Sequence, residues 1–150
     1  MKLLIPSAKE LNEQARIVEP QPLSENTKTI LQALKAFSLE ELATFYGISE
    51  ERALVEKERI EALLAGSAKT YPALELFDGL MYRSIERQDL SQKEQVYLQE
   101  HLLITTALYG VLPAYEGIAP HRLDFMMKLK PAGKSLKAFW KEDYDQAVEG

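Results

Sequence analysis

At 150 residues, 46% hydrophobic and 27% charged, the sequence describes one globular domain with enough chain to bury a core. The absence of cysteine removes disulfide scaffolds, cysteine zinc sites and cysteine nucleophiles. A net charge of −5 argues against a general nucleic-acid binder, and the apolar run Leu3-Leu4-Ile5 is too short for a signal peptide or membrane helix, so a cytosolic protein is expected.

Residues 2–5 read as a short buried strand halted by Pro6. The turn Ser7-Ala8-Lys9-Glu10-Leu11 follows at the strand's C-terminal end, the edge where open α/β sheets bind ligands, which makes Lys9 a candidate anion contact. An exposed loop lysine is the plainer alternative. Beyond the connector around Pro20 and Pro22, a helix is expected over 25–36 with Ile30, Leu31 and Leu34 on one face. Ser38 and Glu41 form a capping box for a second helix, and Ser49 caps a third with Glu50 and Glu51 in its first turn. Ala53, Ile60, Leu63 and Leu64 of the third helix face inward, and Gly66 ends it.

Residues 73–77 suggest a second strand, followed by a loop over 78–83. Ser91 and Glu94 make another capping box and open a helix to about residue 100. Leu102 to Leu108 is β-branched enough for a buried strand, 109–113 reads as a loop, and 120–129 as an extended stretch. A final helix from Lys134 turns Leu136, Phe139, Trp140 and Tyr144 inward. The outcome is a mixed α/β (α+β) class, with a short sheet flanked by helices in a single domain over 1–150. Its strands are too few to cover every apolar helix face, the pattern of a fold lacking its partner half.

Three constellations bear on chemistry. In the first, the hairpin over 42–53, Gly47 supplies the turn, Ser49 the cap and Arg52 a charge, so that backbone N–H groups at a helix start face a phosphate. The seven acids and three basic residues over 38–61 favour a plain αα-hairpin instead. In the second, Tyr109 and Gly110 lead towards His121-Arg122-Leu123-Asp124. Tyr109 offers a stacking face and Arg122 a bidentate fork, against a core tyrosine and an Arg122–Asp124 ion pair. The third, Tyr82-Arg83 beside Gly79, is similar in kind. From His121 to Lys141 six basic residues stand against Asp124 alone, so this stretch carries +5 and the rest of the chain −10. Such a stripe can attract phosphate locally even on an acidic protein, and a merely solvated face is the plainer alternative. His101 and His121 lack metal-ligand spacing, and there is no nucleophile elbow, P-loop or dinucleotide fingerprint.

Leu108-Tyr109-Gly110-Val111-Leu112 followed by Pro120-His121-Arg122-Leu123-Asp124 resembles the bacterial peroxide stress protein YaaA family. Ile5-Pro6-Ser7-Ala8-Lys9 is similar to the family's Ser-Pro-Ala-Lys motif with serine and proline exchanged. Phe77-Asp78-Gly79-Leu80-Met81-Tyr82 resembles its Phe-x-Gly-x-x-Tyr loop, and Phe139-Trp140 its late aromatic pair. The resemblance spans the chain, and the 42–53 hairpin falls where the family carries a helix-hairpin-helix. It implies a family-specific α/β fold with a basic DNA-binding cleft, and a cytosolic role limiting hydrogen peroxide damage that is linked to iron. By position, Lys9, Tyr82, Tyr109, Arg122 and Lys128 would line or border that cleft, and Gly47 would form the hairpin turn. Family members continue further, so the chain is expected to lack a C-terminal part. The leading expectation is a non-catalytic, largely sequence-independent DNA binder without a cofactor. An enzyme acting on a nucleobase, nucleotide or small anion is the rival, and an iron-binding protein a third reading.

Overall fold

The computed structural model describes residues 2–84 and 90–149. Four helix starts are capped by serine, three of them at the serines read from the sequence and the fourth at Ser24. Ser24, Ser38, Ser49 and Ser91 each accept a hydrogen bond from the backbone N–H three residues on, and Ser38 and Ser91 complete reciprocal capping boxes with Glu41 and Glu94. They open α1 (Glu25–Lys35), α2 (Leu39–Tyr46), α3 (Glu50–Ala65) and, later in the chain, a helix over Gln92–His101. Gly47 and Gly66 close α2 and α3 in the left-handed conformation, with φ of 67° and 76°.

Three strands make the main sheet. β1 (Leu3–Pro6) and a strand over Leu102–Thr106 run parallel, pairing Leu3 with Leu102 through Pro6 with Thr105. The region read as a second strand, 73–77, is different. Tyr71–Pro72 is β2, and Ala73–Leu76 turns at once into a single helical turn, α4. Pro72 sets φ at −57° beside helix-forming Ala73, Leu74 and Leu76, so local propensity overrides the apolar run. The expected loop over 78–83 contains a second short helix, α5 (Leu80–Ser84). The helix Gln92–His101 is α6, and it passes directly into β3 (Leu102–Thr106).

β3 is shorter than the sequence suggests, because residues 107–109 form a hairpin loop and the expected loop at 109–113 becomes β4 (Gly110–Pro113). Gly110 makes this possible: with φ of 77° it pairs with Thr106 and restarts the strand after a three-residue connection. The Thr106 hydroxyl accepts the Tyr109 N–H at 2.7 Å inside the loop. The strand order is β1-β3-β4, and β5 (Gly117–Ile118) pairs antiparallel with β2 in a separate two-stranded ladder. Residues 120–129 form no strand. Turns at 125–127 interrupt them, leading to a 3-10 turn over Pro131–Gly133. The final helix is broken at Trp140 into α7 (Leu136–Phe139) and α8 (Lys141–Glu149).

The buried apolar residues form two clusters. One packs α1, α2 and α3 against residues 107–140, and the other packs β3 and β4 against residues 71–82; Tyr109 touches both. The buried Thr27 hydroxyl donates to the Leu108 carbonyl at 2.9 Å, fastening α1 to the hairpin loop. Among the described residues, no helix is long and apolar enough to cross a membrane.

Candidate nucleic-acid interface

The residues picked out by sequence fall into three places. The first is the loop after β1. Gly79 approaches it so closely that an added Cβ would lie 3.1 Å from the Cβ of Ala8. Lys9 is exposed there, and the exposed Arg83 side chain pairs with Glu10 and stands 3.7 Å from Asp78. Tyr82, the cleft residue implied by resemblance, is only 1% exposed, and its hydroxyl donates to the Pro6 carbonyl at 2.5 Å. It holds β1 to α5 and presents no ring to a ligand.

The second place is the α2–α3 turn. Gly47 is left-handed and exposed, Ile48 returns its N–H to Ala43, and Ser49 accepts the Arg52 N–H at 3.2 Å. The first N–H groups of α3 lack intrahelical partners by the geometry of any helix start, and Glu50 and Glu51 flank them. Both helices face the next group through Tyr46, whose hydroxyl pKa is raised by burial first and by Glu56 second, with Arg122 and Arg59 opposing.

The third place centres on Glu56, which sequence reading passed over. Its side chain is 5% exposed and accepts from Arg59 Nη1 at 2.9 Å, while Arg122 Nε stands 3.7 Å away. Arg59 also reaches Glu13 at 3.1 Å. Arg122 therefore faces Glu56, whereas Asp124 accepts the Met126 N–H in its own turn. The missed signal was spacing. Ala53, Glu56, Ile60 and Leu63 step by three, four and three, so Glu56 lies on the buried stripe of α3.

Beside this cluster, His121 packs edge-on to Phe77 and Tyr109 at centroid distances of 6.3 and 5.6 Å, with Nδ1 2.9 Å from the Ala119 carbonyl. Burial lowers its pKa to about 4, against the pull of the Ala119 hydrogen bond. Tyr109 accepts the Ala119 N–H at 3.0 Å, and burial pushes its hydroxyl up to about 12. Tyr109 thus bridges the two cores while part of its side chain lines a cavity of about 470 Å³ beside Leu23, Lys28 and Leu64. His121 also sets a pH dependence. Unfolded histidine takes up a proton near pH 6.5 and folded His121 only near 4, so stability falls as pH drops across that window. The expected slope approaches about 1.4 kcal/mol per pH unit. Urea titrations from pH 7 to 4 should show it, and His121→Asn should flatten it; an unchanged slope in the variant rules this histidine out as the source.

The basic stretch has a consistent geometry. Leu123, Leu129, Pro131, Leu136 and Trp140 are buried and pin it to the core, while Arg122, Lys128, Lys130, Lys134, Lys137 and Lys141 are all exposed. Arg122 has Glu56 and Lys141 has Asp145. Among the described residues, Lys128, Lys130, Lys134 and Lys137 have no carboxylate within 4.0 Å. Among the same residues no group of three or more His, Asp or Glu side chains converges as a metal site.

The pattern that defines the peroxide stress protein YaaA family matches residues 1–150. The chain belongs to that family. It is 57% identical over 148 residues to a UPF0246 protein of Streptococcus gordonii, covering 99% of this chain and 61% of the relative. A Streptococcus sanguinis UPF0246 protein is 58% identical over 148 residues with the same coverage, and one from Streptococcus pneumoniae is 52% identical over 149 residues. The chain therefore spans about three-fifths of the length of the curated relatives it matches.

Proposed function

We propose that this YaaA-family chain carries part of a DNA-binding face through which a cytoplasmic protein limits DNA damage under hydrogen peroxide stress, without catalysing a reaction on the DNA. The reading rests on one observation above all: four consecutive basic positions, Lys128, Lys130, Lys134 and Lys137, are exposed and lack a carboxylate partner among the described residues. Lysines kept apart from a chain that is otherwise strongly acidic suit a polyanion. Phosphate contacts of this kind give little sequence preference and strong salt dependence. Arg122 and the α2–α3 turn with Gly47, Ser49 and Arg52 adjoin the stretch through Tyr46 and add a second set of donors.

The test is binding of a duplex across a salt series by the intact chain and by a variant with all four lysines changed to alanine. The slope of log K against log salt should become shallower by about 0.9 for each phosphate contact removed. Equal slopes for the two proteins would show that the stretch makes no phosphate contact and would overturn the reading. The rival, an enzyme acting on a small anionic substrate, draws on the grouping of Glu56, Arg59, Arg122 and neutral His121, since perturbed ionisable groups gather at reactive sites. A nucleotide held tightly and independently of salt would favour it.

A further inference from the structure

The cavity of about 470 Å³ beside Tyr109 lies between the end of α3, the start of α1 and the connector around Pro20 and Pro22. Among the described residues, its lining draws on neither the basic stretch nor the Glu56 cluster. Its size is that of pockets that hold small molecules. The walls are mostly apolar, from Pro22, Leu23, Leu63, Leu64 and Ala68. They are anchored from outside the cavity. Val18 and Thr70 exchange hydrogen bonds at 2.9 and 2.7 Å just before the connector, and Leu23 packs on the core beneath α1 and α3. Two prolines restrict the connector backbone further, so the site is preformed.

Three polar features stand in this apolar wall. The first is the end of α3. Ala62 and Leu63 give their carbonyls to Gly66 and Ser67, whereas among the described residues the Leu64 and Ala65 carbonyls have no hydrogen-bond partner. The last turn of this 16-residue helix also holds no basic side chain, which leaves its negative pole open to a cation. The second feature is Lys28, whose carboxylate neighbour among the described residues is the exposed Glu25 at 3.6 Å. Such a surface pair is weak and gives way to a better-placed anion. The third is Tyr109. Its hydroxyl accepts the Ala119 N–H at 3.0 Å and, among the described residues, has no acceptor for its own proton. The α3 end thus suits an ammonium, Lys28 and Tyr109 suit a carboxylate, and the walls suit an apolar side chain. A plain cation would meet Lys28 as a like charge, and a plain anion would meet the α3 carbonyls. A zwitterion satisfies both. We propose that the cavity binds a free α-amino acid with a large apolar side chain, its ammonium on the Leu64 and Ala65 carbonyls and its carboxylate on Lys28 and Tyr109. This site is independent of the DNA-binding reading.

The experiment is isothermal titration of the intact chain with L-phenylalanine and L-leucine, each of which should fill one site per chain. N-acetyl-L-phenylalanine lacks the ammonium and L-phenylalaninamide lacks the carboxylate. Each should bind about tenfold more weakly than L-phenylalanine, the weight of one hydrogen bond to a charged group. Lys28→Met should weaken L-phenylalanine about tenfold without weakening L-phenylalaninamide, which has no carboxylate to lose. Lys28 is exposed, so this variant should unfold in urea as the parent does. Lys137→Ala, outside the cavity, should leave all four affinities unchanged. Binding of neither amino acid, equal affinity for the blocked forms, or a Lys28→Met variant that binds L-phenylalanine as well as the parent each overturns the proposal. The DNA-binding reading stands or falls on its own salt series in every case.

Discussion

Gly110→Ala is expected to destabilise the chain by about 3 kcal/mol, the sum of a left-handed backbone penalty of about 1–2 kcal/mol and an overpacking penalty of about 1–3 kcal/mol. The backbone component follows from φ of 77°. The steric component follows from Trp140, because the new Cβ would sit 2.6 Å from both Cε3 and Cζ3 of the indole. Trp140 cannot swing aside cheaply. It is 3% exposed, and moving it breaks the 2.7 Å hydrogen bond to Ala107. For a chain of this size such a loss lowers Tm by roughly 6–12 °C. Gly47→Ala supplies the comparison. Its φ of 67° is similar, yet nothing lies within 4 Å of the added Cβ, so it should cost only about 1–2 kcal/mol, the backbone part. Thermal and urea unfolding of the two variants separates the terms. Equal losses would mean that the indole yields and that the packing between Gly110 and Trp140 is loose.

That contact also shows where the sequence was legible and where it was not. Serine caps and their glutamate partners depend on residues three apart, and the helix starts predicted from Ser38, Ser49 and Ser91 stand where the letters put them, whereas the last helix begins at Leu136 rather than at Lys134. Gly47 and Gly66 as helix ends are equally local. The errors came where partners are distant. Nothing near Gly110 announces Trp140, thirty residues on, so a hairpin restart read as a loop. Ala73 to Leu76 read as a strand because apolar runs do not distinguish a buried strand from a buried helical turn. The site divides in the same way. Exposed lysines were visible as a charge pattern, whereas the burial of Tyr82 against Pro6 and the shift of Arg122 from Asp124 to Glu56 depend on chain segments brought together by the fold. Resemblance supplied the family and could not supply those contacts.

Glu56→Ala should be the other damaging change, at about 2–3 kcal/mol. Removing one partner of a fully buried ion pair costs about 3–5 kcal/mol, because it strands the opposite charge away from water. Here Glu56 is nearly closed off at 5% exposure, but Arg59 and Arg122 are 23% and 42% exposed, and both can turn part of their charge to solvent. Arg59 also keeps Glu13. These routes of relief bring the expected loss below the fully buried figure. Glu56→Gln keeps an oxygen able to accept from Arg59 Nη1 while removing the charge, so it should recover part of the loss. Coupling between Glu56→Ala and Arg59→Ala in a double-mutant cycle should reach about 1–2 kcal/mol, above the range of a surface pair. Coupling near zero would mean that α3 owes nothing to the pair, and that Glu56 is buried by its place on the helix stripe alone. Strong coupling would instead identify the Glu56 carboxylate as the group that holds Arg59 in place on the buried stripe of α3.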